Sequence, residues 1–259
     1  MSGFFSGERP PSALVINGEV HIGREAGGVF ATGRVGENQL FFGDGAPDDH
    51  EKFADEIKTF FKSNKIKNKK INLILKTGGC LLRAAKVPRV SERDMDGLVK
   101  NNAGDYFPGF AGNFTVSYAA TGSADGKNEI FAAALPDEIS EAHIAAFGLA
   151  GLKIIRIDVL QNAAAAAFRG EASALLALPF ADKINVTYYE NGLPKAARDI
   201  RLTSDGAPAE GLSMFARLYG FGPGVEIYFA EPDFARAGEY FPGEPCKCLS
   251  AARLLECYE

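Results

Sequence analysis

The sequence has 259 residues, of which 46% are hydrophobic and 24% are charged, and its formal net charge is −5. This composition is typical of a soluble globular protein with one large domain or two modest ones. The mild acidity argues against nucleic acid as a main partner, because phosphate binding needs a basic face. No apolar run approaches the ~20 residues of a membrane-spanning helix, and the N-terminus lacks the pattern of a signal peptide. We therefore expect a cytoplasmic protein.

The N-terminal part of the chain is predicted to form a β-hairpin, further strands and a helix. Two apolar runs flank Asn17-Gly18, and Asn-Gly is the strongest two-residue hairpin signal because both positions tolerate positive φ. Strand-like stretches follow at GGVFATGRV and QLFFGD. The segment PDDHEKFADEIKTFFKSN predicts a helix with Asp48 or Asp49 as its N-cap. Its apolar stripe consists of Phe53, Ile57, Phe60 and Phe61.

One obvious basic cluster, KSNKIKNKK (Lys62 to Lys70), follows this helix. An apolar strand comes directly after it. The position favours a solvated helix end and turn over a patch that binds nucleic acid or lipid.

The middle of the chain alternates predicted strands and helices. KINLILKT, CLLRAAKVP, NFTVSYAA and NEIFAAALP predict strands. VSERDMDGLVKNNAGDYF predicts an amphipathic helix that begins at Ser91, with Asp94 at the capping-box position. DEISEAHIAAFGLAG predicts a helix that ends at Gly148 or Gly151.

The next stretch, GLKIIRIDVLQNAAAAAF, combines a β-branched strand, Asp158 and an alanine run. Asp158 is either a catalytic acid at the end of a strand or the cap of the helix that follows. The choice between the two decides whether the chain is an enzyme.

The last part of the chain repeats the plan of the first. ALLALPFADKINVTYYENGLPKAARDIRL predicts a three-stranded meander with Asn191-Gly192 at a turn. PAEGLSMFARLYG predicts a short helix, GVEIYFAEP a strand and SAARLLECY a final helix. A hairpin-plus-helix module near the start and again after residue 170 indicates a duplicated α/β architecture.

The cysteines give no metal site. They are Cys80, Cys246, Cys248 and Cys257. The C-x-C pair supplies at most half of the four ligands of a tetrahedral site, and the three histidines are scattered. We therefore expect reduced thiols and no metal.

The segment LILKTGGCLLRAAKVPRVSERDMDGLVKNNAGDYFPG resembles the PilM-type actin-like proteins of type IV pilus assembly. The shared features are a strand with Arg83, then Val87-Pro88, a short amphipathic helix and Tyr106-Phe107-Pro108. NEIFAAALPDEISEAHIAAFGLAGLKIIRIDV continues the similarity in order, up to Ile157-Asp158. The resemblance covers residues 70–170. The cytoplasmic part of the type II secretion protein GspL is similar in plan.

The resemblance implies an α/β fold of the actin-like or ribonuclease-H-like type. Duplicated mixed sheets flanked by helices carry an inserted small α+β subdomain, and the second half is reduced. The expected ranges are 1–67 for the start of the first subdomain, 68–144 for the insertion, 145–170 for the connecting helix, 171–236 for the second subdomain and 237–259 for a C-terminal helix that packs back on the first half. Whether a transmembrane segment follows Glu259 in a longer chain is left open.

Actin-like ATPases hold phosphates with two hairpins that each carry an Asp followed by glycines, and adenosine with a Gly-Gly turn. Here Asn17-Gly18 has an amide in place of the acid, Pro179 and Phe180 occupy the second glycine region, and Glu231 stands at the third position. Proline lacks an N–H donor, phenylalanine fills the phosphate space, and Glu231 would repel polyphosphate. We therefore predict degenerate cleft positions, no catalytic residue and no cofactor, with Asp158 as a helix cap.

The resemblance implies a non-catalytic cytoplasmic scaffold of a type IV pilus or type II secretion platform, at the inner face of the cytoplasmic membrane. Its expected partners are the cytoplasmic tail of a bitopic inner-membrane protein and a hexameric assembly ATPase, through which it associates with the membrane. In the family, the inserted subdomain and its neighbour form the peptide groove.

Candidate partner contacts are Tyr106, Phe107, Phe110 and Phe114. The alternative is that these aromatics are core residues. The alternative function is a diverged actin-like ATP-binding protein or ATPase. A sugar or small-molecule kinase of the same superfold is a third candidate, but no catalytic Asp is placed for it.

Overall fold

The structure is a computed structural model that describes residues 9–26, 29–35, 47, 49–108, 112–203, 215 and 225–258. The strands are β1 (Ser12–Ile16), β2 (Glu19–Ala26), β3 (Val29–Val35), β4 (Lys70–Leu75), β5 (Leu81–Pro88), β6 (Phe114–Ala124), β7 (Lys127–Pro136), β8 (Lys153–Val159), β9 (Ser173–Pro179), β10 (Lys183–Glu190), β11 (Leu193–Arg201), β12 (Glu226–Ala230) and β13 (Cys246–Leu249). The α-helices are α1 (His50–Ser63), α2 (Glu92–Asn101), α3 (Ala103–Tyr106), α4 (Asp137–Leu149), α5 (Leu160–Ala167), α6 (Ala237–Tyr240) and α7 (Ala251–Tyr258). A 3-10 helix covers Asp233–Arg236.

Two five-stranded sheets share one topology. The first has the order β3-β2-β1-β4-β8, and the second has the order β11-β10-β9-β12-β13. In each, three strands form an antiparallel meander, and two further strands run parallel to the first strand of that meander. This repetition confirms the predicted duplicated mixed-sheet architecture.

Both predicted Asn-Gly hairpins are confirmed. Asn17 and Gly18 have φ of 48° and 82°, and they join Ile16 to its partner Glu19 across β1 and β2. Asn191 and Gly192 have φ of 51° and 75° and join β10 to β11 in the same way. Positive φ at both central residues is the geometry that these residue types favour.

The helices form layers around the two sheets. Helices α1 and α4 cover the outer face of the first sheet, where Phe53 and Phe147 pack edge to face with centroids 5.1 Å apart. Helices α5 and α7 lie between the sheets, in one core that includes residues of both. The buried alanines of α5 and the bare Cα of Gly23 permit this close packing, since a Cβ on Gly23 would lie 2.9 Å from Leu255 Cβ.

The inserted subdomain is a three-stranded antiparallel sheet of order β5-β7-β6, covered by α2 and α3. It spans residues 81–136, within the predicted range of 68–144. Strand β4, which that range includes, lies between β1 and β8 in the first sheet, and this central position explains its nearly continuous apolar sequence. The inserted sheet also contacts β11 of the second sheet, so it touches both halves of the molecule.

The helix ends agree in part with their predictions. Asp49 caps α1, because its Oδ1 accepts the Lys52 N–H at 2.9 Å. Ser91 is the residue before α2, but its hydroxyl donates to the Asp94 carboxylate at 2.6 Å and makes no cap bond to the backbone. The predicted capping box is therefore wrong in its hydrogen bonding, because the carboxylate competes for the hydroxyl.

One strand has no counterpart among the sequence predictions, and two predicted elements lie outside the described residues. The C-x-C pair lies in β13, which no sequence signal predicted and which pairs in parallel with β12. QLFFGD lies outside the described residues, and so does PAEGLSMFARLYG except for the buried Phe215. Among the helices that the structure describes, none is long and apolar enough to cross a membrane.

Candidate functional site

A cleft of about 830 Å³ lies between the two halves, beyond the carboxyl ends of their parallel strands. Its lining includes Asn17 after β1, Lys76 after β4, Phe180 after β9 and Asp233 beyond β12. Ligands of open α/β sheets bind at this edge, because several loops converge there. The cleft is therefore the first candidate site.

A buried ion pair crosses the cleft. Lys76 Nζ lies 2.7 Å from Asp233 Oδ2, and the two side chains are only 3% and 12% exposed. Lys76 belongs to the first half, and Asp233 begins the 3-10 helix of the second half. The pair thus joins the two halves at the floor of the cleft.

The hairpin residue Asn17 completes this bridge. Its Oδ1 accepts a hydrogen bond from Lys76 Nζ at 2.6 Å, and its Nδ2 donates to Asp233 Oδ1 at 2.8 Å. Each of the three side chains therefore contacts the other two. The ammonium group and the amide N–H point at a carboxylate of the protein itself, where they could otherwise face a bound anion.

Phe180 lines the cleft beside this bridge. Its ring centroid lies 5.1 Å from Lys76 Nζ and 5.9 Å from Lys183 Nζ, within the range of cation–π contacts. Lys183 Nζ also donates to the Gly78 carbonyl of the first half at 2.9 Å. The ring of Phe180 therefore lies between two ammonium groups, one from each half of the molecule.

Three of the five residues predicted to lie in the cleft do lie there. Asn17, Pro179 and Phe180 line the cleft, whereas Gly18 is buried in its turn. Glu231 does not line the cleft, which corrects its predicted position. Its backbone N–H donates to the Leu249 carbonyl, and its Oε2 accepts the Ala251 N–H at 3.3 Å, at the start of α7.

Sequence reasoning missed Lys76 and Asp233. Lys76 comes directly after β4, and a charged residue directly after a buried strand is a signal that could have placed it at the rim of a site. Asp233 is 157 positions away from Lys76 and carries no local signal of their contact.

Asp158 is neither a cleft residue nor the cap of α5. The residue before α5 is Val159, and no side chain caps this helix. Asp158 is 2% exposed, and its carboxylate accepts hydrogen bonds from the Val159 N–H, from Arg156 Nη2 at 2.9 Å and from the Tyr258 hydroxyl at 3.3 Å. It connects β8 to the last turn of α7, so the prediction that Asp158 caps α5 is wrong.

Burial raises the pKa of the Asp158 carboxyl above its ordinary 3.8, and the nearby Arg156 guanidinium only partly offsets this rise. Because the folded state then holds the proton more tightly, the contribution of Asp158 to stability is complete below its unfolded-state pKa and is lost as the pH rises through the folded-state pKa. We expect the unfolding free energy of the wild type, minus that of Asp158→Asn, to fall as the pH rises above the ordinary carboxyl pKa of 3.8. Urea unfolding of both proteins measures this difference, and a value independent of pH would contradict the expectation.

A second concave site, of about 650 Å³, lies between the inserted subdomain and the first sheet. We call it the edge groove. Its walls are β6 residues 115–118 and β8 residues 154–157, and both strands are the last of their sheets, so neither is paired along the groove by a described strand. Ile144 and Ile155, which are 49% and 45% exposed, lie in the groove. Its cations are paired: Lys100 with Asp96, which also lines the groove, at 2.8 Å, and Arg156 with Asp158 at 2.9 Å.

The predicted partner aromatics do not line the edge groove. Phe107 is 2% exposed in the core of the inserted subdomain and packs edge to face against Phe114 at 6.0 Å, so it is a core residue and its assignment to a partner surface is corrected. Tyr106 and Phe114 are half-buried against the same core. Phe110 lies outside the described residues.

No protein-family profile and no curated protein matches the sequence. Solved structures do match. A chain of the PilM-PilN type IV pilus biogenesis complex is 17% identical with a TM-score of 0.55, over 82% of this chain and 66% of that one. The cytoplasmic domain of EpsL, an inner membrane component of the type II secretion system of Vibrio cholerae, is 11% identical with a TM-score of 0.50, over 96% and 93%.

A Bacteroides thetaiotaomicron protein of unknown function with an actin-like ATPase fold is 11% identical with a TM-score of 0.52, over 99% of both chains. Our chain spans less than two thirds of the matched chain of the PilM-PilN complex. Sequence identities this low support a similarity of fold and nothing more. The chain therefore has the actin-like ATPase fold that its sequence predicts.

Proposed function

We propose that the chain is a non-catalytic scaffold of a type IV pilus or type II secretion assembly platform, at the inner face of the cytoplasmic membrane. It binds the cytoplasmic tail of a bitopic membrane protein and contacts an assembly ATPase. The observation that carries the proposal is the Lys76–Asp233 ion pair, which fills the floor of the cleft with the protein's own charges.

This bridge opposes nucleotide binding for a physical reason. A triphosphate would have to displace the Asp233 carboxylate from Lys76 and Asn17 and would leave that carboxylate close to the phosphates. The two-residue turn at Asn17-Gly18 and the missing N–H of Pro179 leave few backbone donors to compensate.

The edge groove is the candidate site for the tail. An extended peptide gains main-chain hydrogen bonds from an unpaired strand edge, and here one groove has two such edges, β6 and β8. Ile144 and Ile155 offer apolar contact to alternate side chains of the peptide. The names of two structural neighbours, a PilM-PilN complex and an inner membrane component of a secretion system, support a membrane-protein tail as the ligand.

The experiment is a binding assay with fluorescent peptides that represent the N-terminal cytoplasmic segments of bitopic membrane proteins encoded next to this chain. We expect saturable binding of one peptide with a Kd of about micromolar order, as is common for short peptides in grooves. A scrambled peptide of the same composition is the control. If the folded protein binds none of the peptides, the scaffold proposal fails.

The alternative, a diverged ATP-binding protein, makes a different prediction. A ligand at about 100 times its Kd adds about 2.7 kcal/mol of stability, which raises the Tm of a chain of this size by about 5 °C or more. We expect millimolar Mg-ATP to leave the Tm unchanged in a thermal-shift measurement. A clear, saturable rise with Mg-ATP but not with Mg²⁺ alone would favour the ATP-binding alternative.

A further inference from the structure

The edge of the first sheet opposite the cleft gathers cations from separate parts of the chain. Strands β4 and β8 run in parallel and begin there, at Lys70 and Lys153. Helices α1 and α4 each precede one of these strands and end at the same edge. Two hydrogen bonds hold the segments together, from Arg24 Nη2 to the Asn64 carbonyl and from the Lys153 N–H to the Lys69 carbonyl, both at 2.7 Å.

We call this surface the basic edge. It consists of Arg24, Lys62, Lys65, Lys67, Lys69, Lys70 and Lys153. Apart from the half-buried Arg24, all of these side chains are exposed. None of the seven forms an ion pair with an acidic residue that the structure describes.

The rest of the molecule carries the opposite charge. The whole chain has a net charge of −5, so a surface with seven positive charges leaves a strongly acidic remainder. Such a separation of charge orients a protein toward an anionic surface by its basic side. The sequence cluster Lys62 to Lys70 predicted only a solvated turn, but the fold adds Arg24 and Lys153 from distant segments, which a local cluster does not foresee.

Leu149, the last residue of α4, adds an apolar contact at the same edge. It is 54% exposed and lies four residues before Lys153. A bilayer interface accommodates exposed leucine beside lysine, because the apolar group reaches below the headgroups while the ammonium groups stay among them.

We propose that the basic edge docks the protein directly on an anionic lipid bilayer. Seven cations spread over one edge suit a charged plane better than a single ligand. Phe61, whose ring centroid lies 5.9 Å from Lys69 Nζ, is buried in the core and cannot stack on the bases of single-stranded nucleic acid. This inference does not depend on the proposed scaffold function, since neither the cleft nor the peptide ligand enters the argument.

The test is co-sedimentation of the full chain with vesicles of phosphatidylcholine that contain about one third phosphatidylglycerol, a strongly anionic surface. Each lysine near such a surface contributes about five-fold to the partition coefficient. We expect Lys62→Gln/Lys67→Gln/Lys153→Gln to lower the partition coefficient by about 100-fold. A higher salt concentration should also lower the partition coefficient of the wild type, because salt screens the attraction between charges.

The matched control removes three exposed cations elsewhere, Lys52→Gln/Arg83→Gln/Lys127→Gln, and should reduce binding by less than about five-fold, because these charges lie off the docking edge. An equal loss in both triple variants would overturn the proposal, and so would equal binding to pure phosphatidylcholine. If a DNA duplex binds more tightly than the anionic vesicles and the basic-edge variant loses that binding, the edge is a nucleic-acid site and the proposal fails. An unchanged Tm in both variants shows that folding is not the cause.

Discussion

Replacing Lys76 with alanine is expected to lower the free energy of unfolding by about 3 kcal/mol, the lower end of the range for breaking a buried ion pair. The variant leaves the Asp233 carboxylate, whose side chain is 12% exposed, without its cation, and it leaves Asn17 Oδ1 without its donor. A buried charge without a partner costs more than the original pair contributed, because its solvation is not replaced. Urea unfolding followed by far-UV circular dichroism measures the change.

Two further variants separate this effect from loss of packing. Lys76→Met/Asp233→Leu removes both charges and keeps much of the volume, so we expect its stability to lie within about 1 kcal/mol of the wild type. Lys58→Ala breaks the exposed pair with Asp55, whose side chains are 52% and 78% exposed, and should cost less than about 1 kcal/mol. If Lys76→Ala were as mild as Lys58→Ala, the bridge would not hold the two halves together.

The parts of the fold that could be predicted are those whose causes are local. Asn17-Gly18 and Asn191-Gly192 form their turns because the residue types themselves favour positive φ. Helix α5 follows from its alanine run, and the strands of the second meander follow from their apolar and β-branched residues. The repetition of these local signals was enough to indicate the duplicated architecture.

The candidate site was harder to predict, because its contacts join residues that are far apart in the sequence. The position of Asn17 in the cleft follows from the hairpin, but its partner Asp233 lies 216 positions further along the chain. Asp158 looked like a helix cap because it precedes an alanine helix, yet the helix begins at Leu160 and the carboxylate binds Arg156 and Tyr258. Phe107 looked like a partner contact because sequence does not reveal burial.

The edge groove is the other feature that depends on tertiary structure, because β6 and β8 belong to different sheets that meet only in the fold. β8 is also the edge strand of the first sheet, and three of its first four residues, Lys153, Ile155 and Arg156, are exposed. An exposed apolar side chain on an unpaired edge strand is an aggregation hazard unless a partner covers it. The exposed edge strand is therefore a physical reason to expect a ligand in the groove. Substitutions of the groove residues test that expectation.

The double variant Ile144→Asp/Ile155→Asp is expected to weaken binding of the tail peptide by about 100-fold, as loss of the apolar contacts at the centre of an interface commonly does. Both side chains are about half exposed, so their replacement should change the Tm little. Leu81→Asp is the matched control, because Leu81 is 41% exposed on β5 and does not line the groove. Calorimetric titration with the peptide compares the three proteins. If Leu81→Asp loses as much affinity as the double variant, the peptide binds outside the edge groove. If the double variant loses affinity and Leu81→Asp keeps it, the peptide binds between β6 and β8.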